Sequence, residues 1–181
     1  RLELKSLLRQ IPSSEAPSPE PVTVPPTPTV PAMPTVSPQP AALARRYETV
    51  VTQEDLDRWL EILRTAPLFA FDTETTSLEY MKAQIVGFAF SAEPGHAAYI
   101  PVGHDYAGAP DQLDRNLVLE KLKPILEDSA RPKVGHHLKY DAHVLANCGI
   151  ELKGMRYDSM LESYVLNSTV IDHNMDSAAA K

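Results

Sequence analysis

Cysteine is nearly absent: the 181 residues contain only Cys148. That excludes an internal disulfide and a multi-cysteine zinc site, and it fits a reducing compartment. Basic charge is also scarce. Lys and Arg number 17 against 24 Asp and Glu, giving a formal net charge of −7 and a sequence pI near 5.3. A broad basic coat for nucleic acid is therefore excluded, and any nucleic acid must be gripped locally or through metal ions. No apolar run approaches the roughly 18 residues of a membrane span, and no signal peptide opens the chain. Hydrophobic residues at 43% and charged residues at 23% are ordinary for a globular domain. The start at Arg1, without a Met, suggests a piece of a longer protein.

Proline is abundant, and it is concentrated. Of 17 prolines, eleven fall between Pro12 and Pro40, a stretch with no Lys, Arg or aromatic residue and only Glu15 and Glu20 as charges. Prolines this dense remove backbone donors and lock φ, so neither helix nor sheet propagates. Residues 12–40 are expected to be an extended, disordered linker. A ligand for an SH3-type groove is the alternative, and the lack of a basic anchor counts against it. Residues 1–11 carry the apolar spacing of a helix end and are expected to close an upstream domain. The charges of residues 1–40 cancel, so the whole −7 belongs to residues 41–181.

That remainder reads as alternating elements. Thr52 to Asp55 resembles a capping box, and Leu56, Trp59, Leu60 and Leu63 follow at helical spacing, so 52–64 is an amphipathic helix ended by Pro67. Leu68–Asp72 is a buried strand. Residues 84–91 and 96–102 form a hairpin around Glu93-Pro94-Gly95. A helix spans 114–126, with Pro124 kinking or breaking it late. A brief strand at 133–135 precedes a helix at 137–147 with Leu138, Ala142, Leu145 and Ala146 inward and Gly149 as its stop. Residues 155–157 form a short strand, and Asp158 caps a helix at 159–166. Residues 175–181 look like the first turn of another helix. This order predicts an α/β layered domain with a mixed sheet.

Asp72 and Glu74 stand at i and i+2 at the end of a strand, which points both carboxylates to one face. Side by side they repel, and burial raises the cost. A hard divalent cation such as Mg²⁺ or Mn²⁺ resolves that conflict; a solvated turn is the blander alternative. Asp141 is the next candidate, against the reading of an exposed helix acid paired with Lys139. The pair His136-His137 raises zinc, although adjacent histidines at a helix start do not easily face one ion. His143 reads as surface or core filler.

Together, Phe69-Ala-Phe-Asp-Thr-Glu-Thr-Thr-Ser-Leu78, Lys133-Val-Gly-His-His-Leu-Lys-Tyr-Asp141 and Tyr157-Asp-Ser-Met-Leu-Glu-Ser-Tyr-Val-Leu-Asn-Ser168 resemble the 3′–5′ exonuclease (proofreading) domain of bacterial DNA polymerase I. The resemblance runs from Tyr47 to Lys181. The first motif is shared with a wider set of exonucleases that includes ribonuclease D. The stretches Pro101–Tyr106 and 161–168 point more narrowly to the polymerase.

The resemblance implies a ribonuclease H-like mixed sheet flanked by helices and truncated at its C-terminus. It implies Asp72, Glu74 and Asp141 as catalytic and metal-binding residues for two divalent ions, Mg²⁺ or Mn²⁺, with Zn²⁺ an alternative at one site. Thr75, Leu78, His136, His137, Tyr140 and Met160 match positions that contact the DNA strand. His136 and His137 stand where the family usually has Gln and Asn, and Asp172 where some members have Arg. The family's third motif, Tyr-x-x-x-Asp, has no match after Asp141, which implies a missing ligand and an inactive fragment. Expected partners are a single-stranded or frayed 3′ DNA end and the polymerase and 5′-nuclease domains of the same full-length chain, in the bacterial cytoplasm at the nucleoid, with no membrane. A non-catalytic domain that braces a polymerase or binds single strands is one alternative. A ribonuclease D-type RNA exonuclease is the other.

Overall fold

The computed structural model describes residues 44–169 and 172–179. The expected upstream helix end and proline-rich linker lie outside the described residues. In chain order the elements are β1 (Arg46–Thr49), α1 (Gln53–Thr65), β2 (Phe69–Thr75), β3 (Ile85–Glu93), β4 (His96–Pro101), α2 (Arg115–Leu126), β5 (Lys133–Gly135), α3 (Leu138–Asn147), β6 (Met155–Asp158), α4 (Ser159–Leu166) and α5 (Met175–Ala179). The strands form one mixed sheet in the order β1-β4-β3-β2-β5-β6. The β2–β3 and β3–β4 pairs are antiparallel, and the β1–β4, β2–β5 and β5–β6 pairs are parallel. No described helix is long and apolar enough to cross a membrane.

Local chemistry explains the helices. Thr52 caps α1 by accepting from the Asp55 N–H at 3.2 Å, and Leu56, Trp59, Leu60 and Leu63 are its buried stripe. Asp114 caps α2 through the Leu117 N–H. This helix runs through Pro124 to Leu126, without the backbone N–H that would otherwise donate to Glu120 O. α3 ends in a Schellman turn. The Gly149 N–H donates to Ala146 O and the Ile150 N–H to Leu145 O, both at 3.0 Å. Gly149 takes the left-handed φ of 73° that the turn requires, and buried Leu145 and Ile150 supply its apolar contact.

Three features depart from the sequence reading. β1 was not foreseen: Arg46–Thr49 is a mostly exposed edge strand without an apolar face, and its pairing with β4 supplies the order. β2 runs on to Thr75, because its ladder with β3 continues past Asp72 through Glu74↔Gly87 and Thr75↔Ile85. In α3, Ala146 is exposed and the inward positions are Leu138, Asp141, Val144 and Leu145.

β2 alternates between a core edge of Phe69, Phe71 and Thr73 and a less buried edge of Ala70, Asp72 and Glu74. The core edge joins Phe88, Phe90, Ile100 and the apolar stripes of α1, α2 and α3 in one cluster. Lys133 is fully buried at the start of β5. Its ammonium is satisfied by Asp128 O and Arg131 O at 3.1 and 3.0 Å, and burial lowers its pKa to about 8.

At Gly135 the chain passes so close to β2 that an added Cβ would lie 2.8 Å from Phe71 O and against the Leu138 side chain. Gly135→Ala is expected to destabilise the fold by about 1–3 kcal/mol through overpacking. Denaturant unfolding of the two proteins measures this.

Candidate active site

Asp72 and Glu74 project from β2 on its less buried edge. Beyond Ala70↔Val134 the β2–β5 pairing stops, while β2 remains paired to β3. The Thr73 N–H, on the side β5 has left, needs an acceptor. Asp141, from the first turn of α3, provides it. Its Oδ1 accepts from Thr73 N at 2.9 Å and from Thr73 Oγ1 at 2.6 Å. Asp141 is 2% exposed, so it is not the surface helix acid of the blander reading. The three acids, 69 residues apart at the extremes of the sequence segment 72–141, line a single cleft of about 620 Å³.

The same cleft is lined by Thr75, Leu78, His136, His137 and Tyr140, so of the expected strand-contacting residues only Met160 is outside it. Met160 is half-buried in the first turn of α4. Met175, on α5, lines the cleft instead, a position that nothing in the local sequence distinguishes. Asp172 is exposed and does not line the cleft.

Electrostatics follow from this crowding. Burial first, and then the charge of Glu74, raises the pKa of Asp72, against a hydrogen bond from the Thr73 backbone and the nearby His136. Burial first raises Asp141 to about 6; its bonds from Thr73 oppose the rise and the charge of Asp72 adds to it. Burial is thus the main cost to both ionised forms, and a neighbouring carboxylate adds to it in each. Both bonds from Thr73 fall on Asp141 Oδ1, which leaves Oδ2 available to a cation. The donors are all hard carboxylate oxygens, the type Mg²⁺ and Mn²⁺ take. Among the described residues, no set of three or more His, Cys, Asp or Glu side chains already stands in metal-binding geometry. His136 and His137 form no zinc set. His136 Nδ1 is 2.9 Å from Ser159 Oγ, and the His137 ring stands against Tyr140 at 6.4 Å.

The loop after β2 is fastened along one flank of α3. The Tyr140 hydroxyl donates to Ser77 O at 2.5 Å and lies 2.5 Å from Thr75 Oγ1. The His143 ring stacks on Tyr80 at 4.5 Å, and Asn147 Nδ2 donates to Tyr80 O at 2.6 Å. Residues 140, 143 and 147 share one helix face. They hold a loop whose tip, Leu78, is 94% exposed. His143 and Asn147 carry no motif, and only the helical spacing from Tyr140 could have found them.

The 3′–5′ exonuclease family model matches residues 47–181. The DNA polymerase I of Pseudomonas aeruginosa is 54% identical over 137 residues, 75% of this chain and 15% of that protein. The chain belongs to the 3′–5′ exonuclease domain family of DNA polymerase I. The DNA polymerase I of Rhizobium leguminosarum is 40% identical over 152 residues, again 75% of this chain and 15% of that protein. The chain thus spans about 15% of the length of these curated relatives. The exonuclease domain's fold is ribonuclease H-like. Its solved neighbours include Pol1 from M. smegmatis, with TM-score 0.57, 22% identity and coverage of 73% of this chain and 21% of that one. Escherichia coli RNase D is another, with TM-score 0.54, 20% identity and coverage of 75% and 34%. At these identities the structures speak for the fold alone.

The raised pKa of Asp141 predicts a pH dependence for the metal-free domain. With a folded pKa near 6 above the usual carboxylate value, its contribution to stability is fully present below about pH 4 and is lost as pH rises through about 6. Asp141→Asn keeps an oxygen for Thr73 without the charge. In a chelator above pH 6 it is expected to be more stable than the parent by about 2–3 kcal/mol, a gap that closes near pH 4. Unfolding midpoints of both proteins across pH 4–8 measure this.

Proposed function

We propose that this exonuclease domain hydrolyses the 3′-terminal phosphodiester of DNA, taking nucleotides from a single-stranded or frayed end. It would act as the editing part of a longer chain that also carries polymerase and 5′-nuclease domains, in the bacterial cytoplasm during replication and repair. The supporting observation is the convergence of Asp72 and Glu74 of β2 with Asp141 of α3 in one cleft that the exposed Leu78 also lines.

Asp72, Glu74 and Asp141 would hold two divalent cations, Mg²⁺ or Mn²⁺, with Zn²⁺ the alternative at one site. Such ions, when bound, acidify a water and offset charge on the phosphate and leaving oxygen. A domain of net charge −7 can then take a polyanion, because the cations invert the local field. Thr73 keeps Asp141 oriented, and the chain would use Asp141 Oδ2 toward the cation. Leu78, presented on a loop that Tyr140, His143 and Asn147 fasten, would wedge against the last base. Tyr140 already spends its hydroxyl on Ser77, so it offers its ring to a base. His136 and His137 would line the strand's path, and Thr75 the terminal nucleotide. Unpaired ends are favoured because stacking and wedging require a splayed base.

In the polymerase chain that carries this domain, Asp72→Ala and Glu74→Ala are each expected to cut Mg²⁺-dependent release of mononucleotides from single-stranded DNA by more than about 10²-fold, the loss of several kcal/mol of transition-state stabilisation. Unchanged release would contradict the reading and favour a non-catalytic scaffold. Faster release from RNA than from DNA ends would favour the ribonuclease D-type reading. The 181-residue chain, which contains no Tyr-x-x-x-Asp after Asp141, is expected to release nucleotides only slowly by itself.

A further inference from the structure

We propose that Asp158 is a positioning residue for this cleft, holding the first turn of α3, and with it Tyr140 and Asp141, against β2. The inference rests on the metal-dependent exonuclease reading and concerns a residue outside the cleft. Asp158 ends β6, directly paired with Gly135 at the end of β5, so two strand-to-helix junctions lie side by side.

Its carboxylate serves both. Oδ1 accepts from the His137 N–H at 3.1 Å and Oδ2 from the Leu138 N–H at 2.9 Å. Oδ1 also accepts from the Met160 and Leu161 N–H groups at 3.0 and 3.3 Å. Four donors that helix starts normally leave unsatisfied thus converge on one anion, where both helix dipoles favour negative charge. α3 needs this help. Its cap residue, His137, makes no side-chain capping bond and sits at φ 64°, ψ 44°, a left-handed conformation unfavourable for a residue with a Cβ. Ser159 ties the same junctions together, with Oγ donating to Gly135 O at 3.2 Å and meeting His136 Nδ1.

Tyr140 and Asp141 follow His137 within one helical turn. The bonds from Thr73 to Asp141 and from Tyr140 to Ser77 therefore depend on how that turn is seated. Asp158 itself lines a different groove, with Leu138, Tyr157 and Leu161, so it acts through α3 and not by touching substrate.

The test uses the polymerase chain that carries this domain and reads Mn²⁺ binding by calorimetric titration, beside mononucleotide release. Asp158→Ala is expected to weaken Mn²⁺ binding about tenfold, the scale typical of residues that orient metal ligands from behind. Sodium formate, but not sodium chloride at equal ionic strength, is expected to restore binding, because formate carries two oxygens into the nest of N–H groups the substitution empties. Wild-type Mn²⁺ affinity in Asp158→Ala, or a loss that formate does not reverse, overturns the proposal. Should Asp158→Ala not fold, Asp158→Asn serves. It keeps the shape but turns an amide toward one of the four donors, and unchanged Mn²⁺ affinity in it likewise overturns the proposal. Asp72→Ala run in parallel separates the two levels: if it too binds Mn²⁺ as before, the metal-site reading falls and this inference with it. If only the Asp158 variants are unaffected, this inference falls alone.

Discussion

Where β2 and β5 stop pairing, a buried carboxylate takes the place of a strand. The Thr73 N–H that β5 leaves behind is satisfied by Asp141, and that bond brings an acid of α3 to the acids of β2. Burying a carboxylate is costly unless it is bonded and balanced. The bonds come from Thr73, and the neighbouring carboxylate of Asp72 adds charge of the same sign. Burial first raises the pKa values of Asp72 and Asp141, and the charge of a neighbouring carboxylate adds to the rise in each. On the proposed reading, a bound cation relieves that cost.

α3 organises most of what surrounds this point. Its buried face carries Leu138, Val144 and Leu145 into the core, and Asp141 lies among them. One flank fastens the loop of Leu78 through Tyr140, His143 and Asn147. Its start is locked by Asp158 and its end by the Schellman turn at Gly149. One wall of the cleft is therefore a helix with both ends satisfied, which favours precise placement of the groups it carries.

Much of this was legible in the sequence where the cause was local. Thr52 and Asp158 announce helix starts because a cap is a matter of three residues. Gly149 announces a stop for the same reason. The phase of Asp72 and Glu74 followed from period-two geometry. What escaped depends on pairing. β2 was cut short at Asp72 because Thr73-Glu-Thr75 lacks the composition of a buried strand, and only the ladder with β3 extends it. β1 has no apolar face at all. A helical wheel favours Ala146 inward over Val144 by a small rotation, and the seat of α3 on β2 decides it. The burial of Asp141 is invisible to any wheel that assigns acids to solvent. The resemblance to the polymerase family supplies the residues expected to contact a strand, and the cleft gathers them apart from Met160, with Met175 lining it as well. That Asp158 caps two helices follows from the β5–β6 pairing.

Anomalous diffraction from crystals of the domain soaked in Mn²⁺ addresses the role of the three acids directly. Manganese density within coordination distance of Asp72, Glu74 and Asp141 Oδ2, and its loss in Asp72→Ala, is the expected result. Manganese confined to other carboxylates of this acidic surface, with none in the cleft, would contradict it.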